Sequence, residues 1–153
     1  MLRHVGIGGV HLWLVLTGFA YAGFRGRAMK RWVNVRLAVP GRHNATNALA
    51  AATVGLHFNV PPGRIRQALE AFRAPGRRME VLRLAGITLL NDTYNANPDS
   101  TIAALQTLAA TEARGKRIAV LADMLELGAS SMEEHRRVGR EAAALGIDYL
   151  LTW

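Results

Sequence analysis

A chain of 153 residues that is 50% hydrophobic is long enough to bury a core, which excludes general disorder. Its 19 Lys and Arg against 11 Asp and Glu leave a net charge of +8, which suits an anionic partner, whether nucleotide, nucleic acid or membrane surface, without choosing among them. The absence of cysteine excludes disulfides, thiolate metal sites and thiol redox chemistry, and permits a reducing compartment.

The first segment, "MLRHVGIGGVHLWLVLTGFAYAG", supports two readings. A basic start, an apolar run from Val10 to Ala20 and "AYA" ending at Ala22 have the form of a secretory signal, too short to span a bilayer. On that reading the chain is a small secreted basic protein that binds an anionic polymer. Its Arg and aromatic residues are not interleaved as a base-stacking surface requires. The other reading is a β-meander from Val10 to Val39, with "VHLWLVL", "GFAYAGF" and "WVNVRLAV" separated by Gly and basic residues.

"PGRHN" breaks this pattern, and Asn44 to His57 reads as an Ala-rich helix with Ala48, Leu49, Ala52 and Leu56 on one face. "VPPGRIRQALEAF" predicts a second helix, with Pro62 in its first turn and Ile65, Leu69 and Phe72 facing inward. The Pro and Gly of "RAPGRR" place a boundary near Ala74 to Arg78, dividing the chain into residues 1–75 and 76–153.

"MEVLRLAGITLLN" reads as a hairpin turning at Ala85-Gly86. After the loop "NDTYNANPDS", Asn97 is expected to cap a helix that has Pro98 at its first position and Ile102, Leu105 and Ala109 inside. "GKRIAVLADM" is predicted as a strand covered on both faces, followed by a helix from Ser131 to Leu145 and a strand in "IDYLLTW". The β-α-β-α-β order implies a parallel, Rossmann-like sheet and an α/β fold. No helix follows Trp153 to cover the last strand, so this domain is read as cut short, with core surface exposed.

No phosphate loop of the form G-x-x-x-x-G-K-[ST] occurs, and "GIGGVH" does not fit the dinucleotide fingerprint. No H-E-x-x-H or other metal-ligand spacing is present. Three polar clusters remain. In "GRHNATN", Asn44 and Asn47 are three apart beside His43; their carboxamides suit an adenine edge, although from the residues alone Asn44 at a helix start reads first as a cap. In "GRRME", Arg77 or Arg78 can fork onto phosphate oxygens or simply be solvated. In "NDTYNANPDS", Asp92 can accept from ribose hydroxyls while Tyr94, Asn95 and Asn97 offer a neutral polar pocket, or the stretch is only a loop feeding a helix.

Taken in order, "PGRHNATNALAAA", "GRRMEV", "NDTYNANPDS" and "VLADMLELG" resemble the Mur ligase family. "YNANPDS" is the most specific of these strings, pointing to the branch that adds D-Ala-D-Ala to UDP-N-acetylmuramoyl tripeptide. The resemblance runs from about Trp32 to Trp153, and less closely through the β-rich segment before it. It implies a cytoplasmic, ATP- and Mg-dependent amide ligase of peptidoglycan synthesis, with neither nucleic acid nor membrane as partner. The peptide carboxylate is phosphorylated to an acyl phosphate, which the dipeptide amine attacks; this demands positioning and charge neutralisation.

The resemblance also implies residue roles. His43, Asn44 and Asn47 would sit at the adenine, Arg77 or Arg78 would approach the phosphates on domain closure, and Asp92 would face the ribose. Tyr94, Asn95 and Asn97 would line the dipeptide site, with Asp123, Glu126 and His135 as supporting loop residues. Residues 1–75 would be the end of an ATPase central domain and 76–153 the first part of the C-terminal domain. The family's phosphate loop, metal-holding residues and sugar-binding domain are not in this sequence, so the chain is not expected to catalyse ligation unaided. A stand-alone, nonenzymatic binding domain is a further reading. Ala122 replaces a Gly usual in the family string, a change expected to alter a tight turn.

Overall fold

The computed structural model describes the backbone of residues 3–7, 10–17 and 19–25 and the whole of residues 32–153. The chain is α/β and divides into two compact units, Met1–Ala74 and Pro75–Trp153.

In the first unit, β1 (Arg3–Ile7), β2 (Val10–Thr17), β3 (Phe19–Arg25) and β4 (Val33–Arg36) form an antiparallel sheet in that order. The meander is present, with β1 an addition to it. The apolar run Val10 to Ala20 is divided between β2 and β3, which pair Val15 with Tyr21 and Leu16 with Ala20. Of the basic start, Met1 and Leu2 lie outside the described residues, and Arg3 and His4 begin β1. Ladder pairing of β4 ends at Arg36, yet the alternation continues, since Val35, Leu37 and Val39 are all buried.

Helices α1 (Arg42–His57) and α2 (Pro62–Ala71) close this core, in which Ala45, Ala48, Leu49, Ala52 and Ile65 meet the three valine and leucine positions of the β4 segment. Small alanines let α1 approach closely. At Gly55 an added Cβ would come within 3.0 Å of Ile65 Cδ1. Phe72 does not join Ile65 and Leu69 on the inner face, because it caps the C-terminus of α2 with extended backbone and is 51% exposed. Glu70 Oε1 accepts the Arg36 amide at 3.2 Å and Arg66 Nε at 3.1 Å, tying α2 to β4. The Arg36 amide, with help from Arg66, holds the Glu70 carboxyl below its usual range.

The second unit begins with an antiparallel hairpin, β5 (Glu80–Leu84) and β6 (Ile87–Asn91). Ala85 and Gly86, with φ of 47° and 83°, make the doubly left-handed turn that twists two strands together. Helix α3 (Pro98–Ala110) follows as expected, with Asn97 Oδ1 accepting the Ser100 amide at 2.9 Å and Ser100 Oγ accepting the Asn97 amide at 3.1 Å. Next come β7 (Ile118–Leu121), a 3-10 turn Gly128–Ser130, α4 (Ser131–Ala144) and β8 (Tyr149–Thr152), with β7 and β8 paired in parallel.

Two expectations need correction. The β-α-β-α-β order does not make one sheet, because β6 pairs with β5 and the parallel ladder contains only β7 and β8. Nor is β7 covered on both faces. Leu105, Ala119, Met124, Val138 and Ala142 form the core on one side, whereas Ile118 and Val120 are 51% and 55% exposed beside exposed Tyr149 and Leu151. The hydrophobic run marks a strand suited to two covered faces, and only one is covered among the described residues. Among those residues no helix is long and apolar enough to cross a membrane.

Charged contacts finish this unit. Arg137 reaches Asp99 Oδ1 at 2.9 Å and Glu134 Oε2 at 3.2 Å, joining α4 to the start of α3. Asp148 accepts the Arg117 amide and Lys116 Nζ, each at 2.8 Å, which sets the register of β8 on β7. The Arg117 amide, then Lys116, depress the Asp148 carboxyl below its usual range.

Two stability predictions follow from these contacts. Asn97→Ala removes the cap of α3 and should destabilise the second unit by about 1 kcal/mol in urea unfolding. A depressed carboxyl contributes stability that is present above the unfolded value and lost on acidification. Asp148→Asn should therefore lower the unfolding midpoint at pH 7, and the gap to the parent should shrink as pH falls below about 4. An equal gap at pH 7 and pH 2.5 would contradict that assignment.

Candidate functional site

The residues singled out by sequence fall into separate groups in the two units. In the first unit, His43 and Asn44 are half-buried and Asn47 is exposed on the first turns of α1. Asn44 is not the cap. That position belongs to Gly41, whose φ of 100° favours glycine, and no side chain caps this helix. Asn44 instead donates Nδ2 back to the Pro40 carbonyl at 2.7 Å. Its amide nitrogen is thus committed locally, whereas the Asn47 carboxamide has no hydrogen-bond partner among the described residues.

In the second unit the structure joins the segment after the boundary to the loop after β6. Met79 is 4% exposed, and its amide donates to Asp92 Oδ1 at 2.9 Å. The Tyr94 amide donates to the Arg77 carbonyl at 3.0 Å. Glu80 Oε2 accepts both the Arg77 amide at 3.3 Å and Asn91 Nδ2 at 3.1 Å. Arg78 lies with its guanidinium carbon 3.8 Å from the centre of the Tyr94 ring. Arg77 and Met79 take the left-handed φ values 64° and 51°, which cost a residue with a side chain about 1–2 kcal/mol each.

The consequences differ for each candidate. Asp92 keeps its second carboxylate oxygen for another donor. The Arg77 guanidinium has no partner among the described residues, whereas Arg78 is engaged. Tyr94 is 60% exposed on its remaining surface. Asn95 is exposed and turns its Oδ1 onto the Ala96 amide at 2.9 Å, and Asn97 is spent on the cap of α3. The loop is therefore pinned at Asp92 and Asn97, with Tyr94 and Asn95 raised between.

A second group lies in the loop after β7. His135 Nδ1 lies 2.7 Å from the Ser131 carbonyl, and Nε2 lies 3.0 Å from the Met124 amide. Both bonds are satisfied by the neutral ring with its proton on Nδ1. Asp123 Oδ1 is also 3.2 Å from Nε2, but its side chain is 80% exposed, and the fixed Met124 amide is the better partner for that nitrogen. Met124, 5% exposed, plugs the core and receives the Thr101 hydroxyl on its sulfur at 3.7 Å. Glu126 is exposed with φ 63°. Ala122 has no left-handed φ, so the turn accommodates it where glycine was expected. Among the described residues no three His, Cys, Asp or Glu side chains gather to hold a metal ion.

Sequence reasoning missed the contacts between Arg77–Met79 and Asp92–Tyr94. A boundary rich in Gly, Pro and Arg reads as a solvated linker, and the local signal was only Glu80 directly after the basic pair.

Comparisons with known proteins agree with this architecture. Residues 77–153 match the family domain described as "Mur ligase, glutamate ligase domain". The UDP-N-acetylmuramoyl-tripeptide--D-alanyl-D-alanine ligase of Escherichia coli (strain K12) is 44% identical over 121 residues, covering 78% of this chain and 26% of that protein. The ligase of the same name from Bacillus subtilis (strain 168) is 36% identical over 114 residues, 74% of this chain and 25% of that protein. The chain thus spans about a quarter of the length of these relatives. Among solved structures, MurF from Acinetobacter baumannii superposes with a TM-score of 0.83 at 33% identity, over 91% of this chain and 30% of that one. With half of its length matched by the family domain and nearly all of its fold reproduced in a solved member, the chain belongs to the Mur ligase family.

Proposed function

We propose that this chain carries nucleotide-facing and dipeptide-facing parts of an ATP-dependent ligase that joins D-Ala-D-Ala to UDP-N-acetylmuramoyl tripeptide in peptidoglycan synthesis. On this reading residues 1–75 belong to the ATP-binding domain and residues 76–153 to the C-terminal domain. The reaction belongs in the cytoplasm, where ATP and a nucleotide-linked sugar peptide are both found. It serves cell-wall growth, and through it cell shape and division.

The observation that carries the reading is the loop Asp92–Asn97. It leaves the end of β6 and is pinned at both ends, with one Asp92 oxygen, Tyr94 and Asn95 turned outward. Such preorganisation is what an enzyme needs to align two reactants without ordering the loop on binding. ATP would supply a phosphoryl group that makes a carboxylate oxygen a leaving group. The chain's own residues would bind and orient: Asn47 beside the adenine, with His43 and Asn44 shaping that turn; the second oxygen of Asp92 on a ribose hydroxyl; and Arg77, whose guanidinium has no partner among the described residues, toward phosphate. Tyr94 and Asn95 would face the dipeptide, with Asn97 holding the loop for them.

The set fits ATP only in part, because Asn44 has spent its side-chain amide on the Pro40 carbonyl. No magnesium ligand is assigned among the described residues, where no three His, Cys, Asp or Glu side chains gather. No step through a metal is therefore assigned to this chain.

Calorimetric titration of the purified chain with ATP in magnesium buffer tests the reading. Binding is expected, and Asn47→Ala and Asp92→Ala should each weaken it about fivefold or more, as for loss of one hydrogen bond of roughly 1 kcal/mol. Binding unchanged in both variants would overturn the nucleotide roles.

A further inference from the structure

The two arginines of "GRRME" are adjacent in sequence but held differently. Arg78 covers the Tyr94 ring, while Arg77 contributes only its backbone, receiving the Tyr94 amide on its carbonyl and giving its own amide to Glu80. Around them, Met79 is buried and bonded to Asp92, and both residues flanking Arg78 are left-handed. Arg77 and Met79 both take left-handed backbone, and the Arg78 side chain between them lies over the Tyr94 ring. A planar guanidinium over an aromatic face combines cation–π attraction with flat stacking; an ammonium keeps only the first and an apolar side chain neither.

We propose that Arg78 is a positioning residue: its guanidinium clamps Tyr94 and so holds the Asp92–Asn97 loop on the strained segment Arg77–Met79. The clamp has three layers. Met79 and Asp92 form the buried one, the Arg77 carbonyl and Tyr94 amide the second, and Arg78 over the Tyr94 ring the third. Tyr94 consequently offers a ligand only the ring face and hydroxyl that Arg78 leaves open. The bearing of the clamp on dipeptide or nucleotide binding rests on the function proposed above; the clamp itself exists without ligand.

Amide hydrogen exchange of the unliganded chain, followed by NMR and corrected for intrinsic side-chain effects, tests this. Arg78→Ala and Tyr94→Leu should each speed exchange of the Tyr94 and Met79 amides about two- to fivefold, the range expected for an exposed cation–π contact. Tyr94→Phe keeps the aromatic face and should restore parent-like exchange. Arg77→Ala should leave both amides unchanged. Equal acceleration by Arg77→Ala, equal behaviour of the Phe and Leu variants, or no effect of Arg78→Ala would overturn the proposal. No nucleotide is present, so those results concern the clamp alone. Absence of ATP binding with the clamp intact would instead count against the proposed function.

Discussion

Burying Met79 is the constraint on which the second unit's site depends. Its side chain is 4% exposed, its φ is 51°, and its amide has no helix or ladder to donate to. A buried amide without an acceptor costs about 1–3 kcal/mol, and left-handed backbone adds to that. The Asp92 carboxylate resolves both difficulties, since a charged acceptor at 2.9 Å is stronger than a neutral one. Fixing Met79 on Asp92 places Arg77 and Arg78 beside Tyr94, and the loop takes its path from there. At the far end the Asn97–Ser100 capping box delivers the chain into α3.

The first unit is governed by different physics. Among the described residues its core is made of alternate positions on the β4 segment and the alanine face of α1, with Ile65 of α2. A local hydrogen bond at the start of α1 absorbs the Asn44 amide, so that in a cluster of three polar residues the outermost, Asn47, is left open among the described residues. Polar residues close to a backbone are commonly consumed by it, and the free one is found by counting bonds rather than by composition.

Elements with a local cause were legible in the sequence. The hairpin at Ala85-Gly86, the Asn97-Pro98 start of α3 and the alanine face of α1 each follow from turn chemistry, capping or helical spacing within a few residues. What was not legible depended on neighbours. Asn44 reads as a cap until Gly41 is seen to take the left-handed position. The run Ile118–Leu121 reads as buried on both sides, yet its outer residues are exposed, because burial is set by what lies over a strand and not by the strand. Phe72 has inward spacing but follows the last helical turn. Of the candidate site, residue types and order were readable from the family resemblance. The pairing of Arg78 with Tyr94, of Met79 with Asp92 and of His135 with the Met124 amide required the fold.

The Asp92–Asn97 loop, proposed above as a preformed surface that faces ligand, can be followed by residue-resolved amide chemical shifts as ATP with magnesium and then D-Ala-D-Ala are added to the chain. Shifts are expected at Thr93, Tyr94 and Asn95, with the Met79 and Ser100 amides nearly still because the loop's anchors do not move. Large shifts at Met79 and Ser100, or a loop that stays silent while shifts appear elsewhere, would contradict that proposal.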